Sequence, residues 1–487
     1  MAVLRFEAGV TWKAPGMLAP EVNSQEGVSA TANDELLPED VLFQLDEIGS
    51  ADILVGIPCF NNEETIGNVI RAVEAGLRKH FPEKKAVVCV SDGGSADRTL
   101  AVAQSAEIGD DWKLLLVSAD SPIPKRLAFP YSGLPGKGSA FRSIFEVASR
   151  LGVQACGVVD SDLRSITPYW LDRILSPIVH HGHDYVAPIY ARHKFDGTIT
   201  NCIAFPVTTA LYGAKIRQPI GGEFGFSGEL AKTYAAKDVW ESDVAKFGID
   251  IWMTTVALVE GAEMAQGILG AKLHDAKDPG KDLGPMFRQV VGSLFALAGQ
   301  YRNDWWDIDT ATSPPIFGFP AAYSAEPIKV SVPRLTWKFV EGYVKHQALW
   351  TQVLSEESLS GVQTAVGDAA ETTRGLVLDV DTWTKIVYDF MIAYNSRRVD
   401  PGTLIDSMIP LYFARTATFI VEVADAELED AEARIQQNAE AAVALKPYLK
   451  RRWREEGVPD RELAEQQVPM EGESPEGMVG ALEQQNK

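Results

Sequence analysis

Residues 52–58 read Asp-Ile-Leu-Val-Gly-Ile-Pro, a short apolar run that is free of charge after its first residue. The next stretch changes to a helical period, with apolar side chains three or four residues apart from Ile66 to Leu77. Residues 86–91, Ala-Val-Val-Cys-Val-Ser, form a second apolar run, and another helix is expected after it. Uninterrupted apolar strands that alternate with helices are typical of a parallel sheet covered on both faces. The sequence therefore predicts an α/β fold.

Two more strands extend this pattern. We predict a third strand at residues 113–117, followed by a long loop and by a helix that begins near Gly138. A fourth strand, residues 155–159, ends at Asp160. Because sheets of this class bind ligands beyond the carboxyl ends of their strands, the polar loops at those ends are expected to form one site. These loops are residues 58–64, 92–97 and 160–163.

Charge and hydropathy disfavour nucleic acid and membrane as partners. The 487 residues include 45 Lys and Arg against 67 Asp and Glu, a formal net charge of −22. A surface this acidic repels phosphate backbones and anionic lipid headgroups. No run reaches the roughly 18 apolar residues that a membrane-spanning helix needs, since charged residues such as Arg415 interrupt the most apolar stretches. The N-terminus also lacks the basic and then apolar layout of a secretion signal.

The four cysteines indicate a reducing compartment. Cys59, Cys89, Cys156 and Cys202 are far apart, form no C-x-x-C pair and have apolar neighbours. This pattern favours buried free thiols over disulfides or a metal cage. We therefore expect the protein to be cytoplasmic.

Two aspartates follow the fourth strand with one residue between them, in the segment Asp160-Ser161-Asp162. On an extended chain, residues two apart point to the same side. Like charges held this close repel each other, so a cation is needed to keep both ionised. A divalent metal that bridges a diphosphate would meet this need, because Mg²⁺ and Mn²⁺ favour carboxylate and phosphate oxygens. A pair of surface aspartates in a turn is the alternative that this motif alone leaves open.

Several segments, taken in order, resemble glycosyltransferases of the GT-A fold. They are Ile57-Pro-Cys-Phe-Asn-Asn-Glu63, Ser91-Asp-Gly-Gly-Ser-Ala-Asp97, Leu134-Pro-Gly-Lys-Gly138 and Asp160-Ser-Asp162. Within that class the chain is similar to the retaining enzymes that glycosylate glycerate or 3-phosphoglycerate: glucosyl-3-phosphoglycerate, mannosylglycerate and glucosylglycerate synthases. Three further segments match in the same order, namely Gln218-Pro-Ile-Gly-Gly-Glu223, Phe247-Gly-Ile-Asp-Ile251 and Ala271-Lys-Leu-His274.

The resemblance and the sequence pattern together suggest how the chain is divided. We expect an N-terminal arm at residues 1–50 and a GT-A catalytic domain, binding nucleotide sugar and acceptor, at residues 51–325. Apolar side chains at helical spacing predict a mostly α-helical C-terminal domain at residues 326–455. Residues 456–487 are acidic and rich in Gly, Pro and Gln, which is typical of a disordered tail.

The resemblance implies a metal-dependent donor site. Asp162 and His274 would bind a divalent metal, Mg²⁺ or Mn²⁺. Lys137 would act in catalysis beside the donor diphosphate, where its charge stabilises the departing nucleotide. The residues implied in nucleotide-sugar binding are Pro58, Phe60, Glu63, Asp92, Gly93, Lys137, Asp160, Ser161 and Glu223.

The resemblance also implies an acceptor site. Asp250, the second catalytic residue, would orient or partly deprotonate the acceptor hydroxyl, and a helix N-cap role is the alternative for it. Arg192 would bind the acceptor carboxylate, because a guanidinium can do so in bidentate fashion. The residues implied in acceptor binding are Arg192, Thr198, Gly221, Gly222 and Asp250.

These expectations describe a retaining transferase that moves glucose, or mannose, from a GDP-, UDP- or ADP-hexose to the 2-hydroxyl of D-glycerate. The product would be glucosylglycerate, a compatible solute. Transfer to 3-phosphoglycerate and synthesis of mannosylglycerate stay open as alternatives. The relatives also suggest a homodimer.

Three other functions share parts of this sequence pattern. An enzyme acting on polyprenyl phosphate would need membrane contact, which the sequence disfavours. A dinucleotide-binding oxidoreductase would carry G-x-G-x-x-G after the first strand, where residues 58–61 read Pro-Cys-Phe-Asn instead. A non-catalytic nucleotide-sugar-binding or scaffold protein could share the same fold, since a fold does not by itself define a function.

Overall fold

The strands predicted at residues 52–58, 86–91 and 155–159 lie side by side at the centre of the fold. In the computed structural model, the strands are β1 (Ile53–Cys59), β2 (Ala86–Asp92), β3 (Lys125–Pro130), β4 (Ala155–Val158), β5 (Tyr185–Ala191), β6 (Phe224–Ser227), β7 (Met264–Ala271) and β8 (Ile316–Phe317). The structure describes residues 36–106, 122–131, 136–240, 242, 248–273, 284–320, 328–370 and 375–458.

The described strands form one mixed sheet in the order β3-β2-β1-β4-β6-β5-β7-β8. β1 runs parallel to both of its neighbours, with Ile53 opposite Ala86 on one side and Ala155 on the other. The pairs that β6 makes with β4 and β5 are antiparallel, and the other described pairs are parallel. The α/β fold is confirmed, and β6 departs from the all-parallel sheet that the apolar runs predicted.

The strand predicted at residues 113–117 lies outside the described residues, and β3 occupies a segment that the sequence analysis assigned to a loop. β3 is the edge strand of the sheet. Its Leu127 and Phe129 are buried, whereas Lys125 is exposed. Because a strand at a sheet edge alternates buried and exposed side chains, it lacks the continuous apolar run of the central strands.

Alternate side chains of the central strands pack into two apolar cores, one on each face of the sheet. On β1, Leu54 belongs to one core, whereas Ile53 and Val55 belong to the other.

The described helices up to residue 320 are α1 (Glu39–Ile48), α2 (Ile66–His80), α3 (Thr99–Ser105), α4 (Lys137–Leu151), α5 (Pro168–His181), α6 (Phe205–Tyr212, after a π-helical turn at Thr200–Ala204), α7 (Gly228–Ala236), α8 (Ile249–Val259), α9 (Gly284–Gln300) and α10 (Arg302–Trp305).

Helix α1 lies within the segment predicted to be an N-terminal arm, and it packs on the sheet domain. Val41 and Leu45 are buried and belong to the same core as Leu54. The folded part of the chain therefore extends to at least Glu39 on its N-terminal side. Residues 1–35 of the predicted arm lie outside the described residues.

The region after residue 326 is helical, as predicted, and it shares a core with the sheet domain. The indole N–H of Trp383 donates to the carbonyl of Cys202 at 2.8 Å. The side-chain amide of Asn438 donates to the carbonyl of Asn201 at 3.1 Å. The helices are α11 (Val332–Val353), α12 (Glu356–Ala370), α13 (Val380–Ser396), α14 (Pro401–Glu422), α15 (Leu428–Ala444) and α16 (Lys446–Glu455).

Within the described residues, α14 is long and apolar enough to cross a membrane, and 72% of its most apolar window is buried inside the fold. Arg415 in this helix is fully buried and pairs with Glu422, with the two partner atoms 3.1 Å apart. A core helix of a folded domain passes the same test of length and hydropathy. The surroundings of α14 are those of such a core helix.

All four cysteines are buried and free, as predicted. Burial raises the pKa of Cys89 to about 12 and that of Cys202 to about 11. These two thiols therefore stay protonated at neutral pH, and they pack as small apolar side chains.

Lys446 joins the C-terminal helices to the sheet domain. Its side chain is almost completely buried. The ammonium donates to the carbonyls of Trp305 at 2.7 Å, Leu211 at 3.1 Å and Ile308. These carbonyls lie at or just beyond the C-terminal ends of α6 and α10, where helices leave backbone acceptors unpaired.

We expect Lys446→Met to lower the free energy of unfolding by about 2–4 kcal/mol, because buried carbonyls would lose their donor. Denaturant unfolding of the full chain would measure this. Lys450→Met is the matched control, since Lys450 lies one turn later on α16 and pairs with Asp309, whose side chain is 72% exposed. Equal losses in the two variants would contradict the role given to Lys446.

Candidate active site

The loops after β1 and β2 are joined by hydrogen bonds. The backbone N–H of Asn61 donates to Ser95 Oγ at 2.8 Å, and the side-chain oxygen of Asn61 accepts from the N–H of Ala96 at 2.9 Å. Asn61 has a φ of 53°, in the left-handed region that asparagine tolerates better than most residues. This turn directs the chain after β1 across the carboxyl end of β2.

The loop after β4 joins the same edge. Ser161 Oγ donates to Asn62 Oδ1 at 2.7 Å, and Thr65 Oγ1 donates to the carbonyl of Ser161 at 2.8 Å. The three polar loops predicted to form one site therefore meet at the carboxyl edge of the sheet. Asp160 lies two residues beyond the end of β4 at this point.

A partly buried ion-pair cluster surrounds Asp160. Lys137, the first residue of α4, lies 2.8 Å from Asp160 Oδ1. The same ammonium lies 3.1 and 3.2 Å from the two oxygens of Asp250, in the first turn of α8. The fold thus brings together Lys137, Asp160 and Asp250, which were predicted to act on the donor and the acceptor. Lys137 and Asp250 are 113 residues apart in the sequence.

Lys272 completes the cluster on its other side. Its ammonium lies 3.1 Å from Asp160 Oδ2, 2.8 Å from both oxygens of Glu223 and 2.9 Å from the carbonyl of Gly221. Burial raises the pKa of Glu223, and the charge of Lys272 opposes this shift. No role was predicted for Lys272 from the sequence. Its position directly after β7, at the carboxyl edge of the sheet, was the available signal.

The two lysines determine the charge of Asp160. Burial alone would raise the pKa of this carboxyl, but Lys137 and Lys272 outweigh burial and hold the pKa well below its usual range. Burial also works against the charge of Lys137, yet Asp160 and Asp250 raise its pKa above the ordinary lysine value. Burial raises the pKa of Asp250, while Lys137 opposes the shift. Asp160 is therefore ionised at neutral pH, and Asp250 takes up a proton more readily.

Gly222 lies against this cluster. Its φ is +90°, and a Cβ at this position would lie 2.3 Å from Asp160 Oδ2 and 3.2 Å from Lys272 Nζ. The hydroxyl of Tyr190 donates to the carbonyl of the preceding Gly221 at 2.9 Å and also bonds to Glu223. The backbone of this segment thus approaches the charged side chains as closely as a glycine permits.

The residues predicted to bind the nucleotide line the joined loops. The Asp92 carboxylate accepts from the N–H groups of Gly94 at 3.1 Å and Ser95 at 3.0 Å, so it shapes the loop after β2. Phe60 is 47% exposed and packs on Gly93, while Pro58 is buried in β1.

Glu63 contributes to the same loop junction. It accepts from the N–H of Arg98 at 2.9 Å. Its own N–H donates to Asp97 at 3.2 Å. The structure therefore gives Glu63 a role in joining the two loops, whereas the exposed ring of Phe60 is available for stacking.

On the acceptor side, Arg192 follows β5 and its guanidinium lies over the ring of Tyr190, 4.5 Å from the centroid. Its Nε is buried without a hydrogen-bond partner among the described residues, and it lies 3.8 Å from Asp196. Thr198 is buried and shares a hydrogen bond with the hydroxyl of Tyr412 in α14. Arg192 thus has unused donor capacity, and Thr198 connects this segment to the C-terminal helices.

The predicted metal ligands are described only in part. Asp162 is half-buried and lies in the loop after β4, two residues beyond Asp160. His274 lies outside the described residues. Within the described part of the chain, no group of three His, Cys, Asp or Glu side chains is suited to hold a metal.

Residues 54–203 match the family described as Glycosyl transferase family 2. This segment contains β1 to β5, and so it includes the loops that meet at the carboxyl edge. The family match and the mixed sheet support a glycosyltransferase domain of the GT-A fold that contains this segment.

The chain is similar to two curated glucosyl-3-phosphoglycerate synthases. One, from Mycolicibacterium smegmatis, is 26% identical over 264 residues, which cover 51% of this chain and 78% of the relative. The other, from Petrotoga mobilis, is 24% identical over 254 residues, which cover 48% of this chain and 70% of the relative.

Solved structures of glucosyl-3-phosphoglycerate synthase from Mycobacterium tuberculosis also match. The complex with phosphoglyceric acid is 22% identical, with 54% of this chain and 85% of that chain covered and a TM-score of 0.38. The complex with Mn²⁺, uridine-diphosphate-glucose and phosphoglyceric acid is 22% identical, with 53% and 83% covered and a TM-score of 0.38.

We expect Gly222→Ala to reduce sugar transfer by about a hundredfold, because the new Cβ would displace Asp160 and a small misplacement at a reacting centre has an effect of this size. Initial rates would measure the loss, and circular dichroism would check the fold. Gly261→Ala is the matched control, since Gly261 has a φ of +75° and no atom within 4 Å of the added Cβ. A similar loss in both variants would show that backbone strain alone is responsible.

Proposed function

We propose that the chain is a metal-dependent retaining glucosyltransferase that moves glucose from a nucleotide diphosphate sugar to the 2-hydroxyl of D-glycerate. The observation that carries this proposal is the placement of Lys137 between Asp160 and Asp250 at the carboxyl edge of the sheet. Lys137, the cation proposed to act on the donor, then lies within hydrogen-bond distance of Asp250, the carboxylate proposed to act on the acceptor. The similarity to glucosyl-3-phosphoglycerate synthases supports the same reaction class.

Lys137 would act on the donor. When a diphosphate binds, its ammonium would turn from the carboxylates to the phosphate oxygens and stabilise the charge that develops as the sugar leaves. Lys137 is the first residue of α4, so the positive end of this helix lies at the same place. Asp160 and Glu223, held by Lys272, would accept hydrogen bonds from sugar hydroxyls.

The chemistry of the predicted ligands fits a divalent metal. The Asp162 carboxylate supplies an oxygen ligand of the kind that Mg²⁺ and Mn²⁺ favour, and His274 would be the second protein ligand. Two protein ligands suffice for such a site, because diphosphate oxygens and water complete the coordination. When bound, the metal would neutralise charge on the diphosphate.

Asp250 would act on the acceptor. Its carboxylate would accept a hydrogen bond from the acceptor hydroxyl and orient it, and its raised pKa suits it to take up the proton. Attack from the face on which the diphosphate departs would retain the configuration at the anomeric carbon. Arg192 would bind the carboxylate of the acceptor through its guanidinium, whose Nε has no hydrogen-bond partner among the described residues.

Release of nucleotide by the purified full chain tests this function. The donors are UDP-, GDP- and ADP-glucose and GDP-mannose, each with D-glycerate, with 3-phosphoglycerate or without acceptor, and with Mg²⁺ or chelator. Release that requires both acceptor and metal, with an α-linked product by NMR, is the expected result. Nucleotide-sugar binding without transfer to either acceptor would point to a different acceptor, and no binding would favour a scaffold. Sedimentation of the same sample would test the expected homodimer.

We expect Asp162→Ala to lower metal-dependent transfer by about a hundredfold or more, because it removes an oxygen ligand beside the diphosphate. Rates measured against Mg²⁺ and Mn²⁺ concentration would show the loss. Asp52→Ala is the control: its carboxylate accepts from the N–H of Lys85 at 2.7 Å, at the opposite edge of the sheet. Substantial metal-dependent turnover in Asp162→Ala would contradict the assignment of this metal ligand.

A further inference from the structure

Two cationic residues near Arg192 are bound by the C-terminal helices. Lys194 follows Arg192 by two residues, and its ammonium donates to the carbonyls of Ala424 at 2.6 Å and Ala426 at 2.8 Å. These carbonyls lie just beyond the C-terminal end of α14, the negative end of a helix dipole. The charge of Lys194 is therefore directed to α14 and away from Arg192.

Arg217 is bound more completely. Its Nε lies 2.8 Å from Glu432 Oε1 and its second nitrogen lies 3.0 Å from Glu432 Oε2, which is the bidentate pairing of a guanidinium with a carboxylate. Its guanidinium lies over the ring of Phe205, 5.4 Å from the centroid. The remaining nitrogen, Nη1, is buried without a hydrogen-bond partner among the described residues.

Arg192 differs from these two residues in its pairing. Its ion-pair partner among the described residues is Asp196, at 3.8 Å, which is too long for a hydrogen bond. Burial lowers the pKa of Arg192, and the nearby charge of Arg217 acts in the same direction. Phe205, over which Arg217 lies, belongs to an apolar cluster against which Phe195 packs, three residues after Arg192. Arg217 is therefore next to the segment that carries Arg192, and its charge is neutralised by Glu432.

The balance of charge decides which acceptor this arrangement fits. A single guanidinium matches one carboxylate, the only charge of a simple hydroxy acid. A phosphate ester would add a charge of about −1.5 to −2 at neutral pH and would need further cations. Arg217 is an additional guanidinium next to this segment, but Glu432 already occupies two of its nitrogens and would repel a phosphate.

We propose that Glu432 is a specificity-determining residue that acts through Arg217 to exclude phosphorylated acceptors, so that the site takes the monoanion of a small hydroxy acid. This inference rests on the proposed function, and it assigns a role to α15, a helix of the C-terminal region. Glu432 positions and neutralises Arg217 and does not itself contact the reacting atoms. Without its carboxylate, Arg217 would be available to a phosphate group.

The test is the acceptor preference of Glu432→Gln in the full chain. We expect kcat/KM for 3-phosphoglycerate, relative to that for D-glycerate, to rise at least about tenfold, the effect of one charged contact. The gain should appear as a lower KM for 3-phosphoglycerate, because the change affects binding and leaves the transfer step alone. Glu432→Asp, which keeps the charge, should restore the wild-type preference.

Glu440→Gln is the matched control. Glu440 also lies on α15 and pairs with Lys215, at 3.7 Å, with its side chain 63% exposed. This variant should leave the preference between the two acceptors unchanged. An equal rise of the relative kcat/KM for 3-phosphoglycerate in both variants would show that any substitution that loosens α15 changes the preference. This result would overturn the proposal.

Measurements on the wild type keep the inference separate from the proposed function. Weak inhibition of glycerate glucosylation by 3-phosphoglycerate is expected, with an inhibition constant well above the KM for glycerate. Efficient use of 3-phosphoglycerate by the wild type, or an unchanged preference in a folded Glu432→Gln variant, would overturn the role of Glu432 and leave glycosyl transfer standing. Absence of transfer to either acceptor in the wild type would instead contradict the proposed function.

Discussion

The carboxylate of Asp160, held between the ammonium groups of Lys137 and Lys272, is the interaction on which the rest of the site depends. Any one of these charges would be costly to bury alone, because an unpaired ion in the interior loses its hydration. Paired and partly buried together, they connect β4, α4 and β7 at one edge of the sheet. The close approach of Gly222 and the pairing of Lys137 with Asp250 both follow from where Asp160 lies.

The sequence allowed much of this edge to be predicted, and the failures have physical causes. Asp160 and Lys137 stand directly beside elements whose periodicity is clear, so the geometry of an α/β sheet places them at its ligand edge. Lys272 stands in an equivalent place, but its burial depends on Glu223, 49 residues away, and no local pattern reports that contact. Strand β3 was missed because Lys125 begins an edge strand with alternating burial, whereas the prediction relied on continuous apolar runs.

The segment between β5 and α6 links the site to the C-terminal helices. Arg192 lies at its start, Thr198 bonds to Tyr412 of α14, and the carbonyl of Cys202 accepts from Trp383 of α13. The family match at residues 54–203 includes this segment as well as the loops after β1, β2 and β4. These contacts couple the proposed acceptor side to the C-terminal helices.

The pairing of Lys137 with two carboxylates also bears on how a reaction at this site would end. For a site that binds a diphosphate, the lysine has two sets of partners, the phosphate oxygens and the internal oxygens of Asp160 and Asp250. After transfer, the internal carboxylates compete with the free nucleotide for the same ammonium group. In such a site, part of the energy of product binding would be returned within the protein, which would shorten the residence of the nucleotide and limit inhibition by the accumulated product.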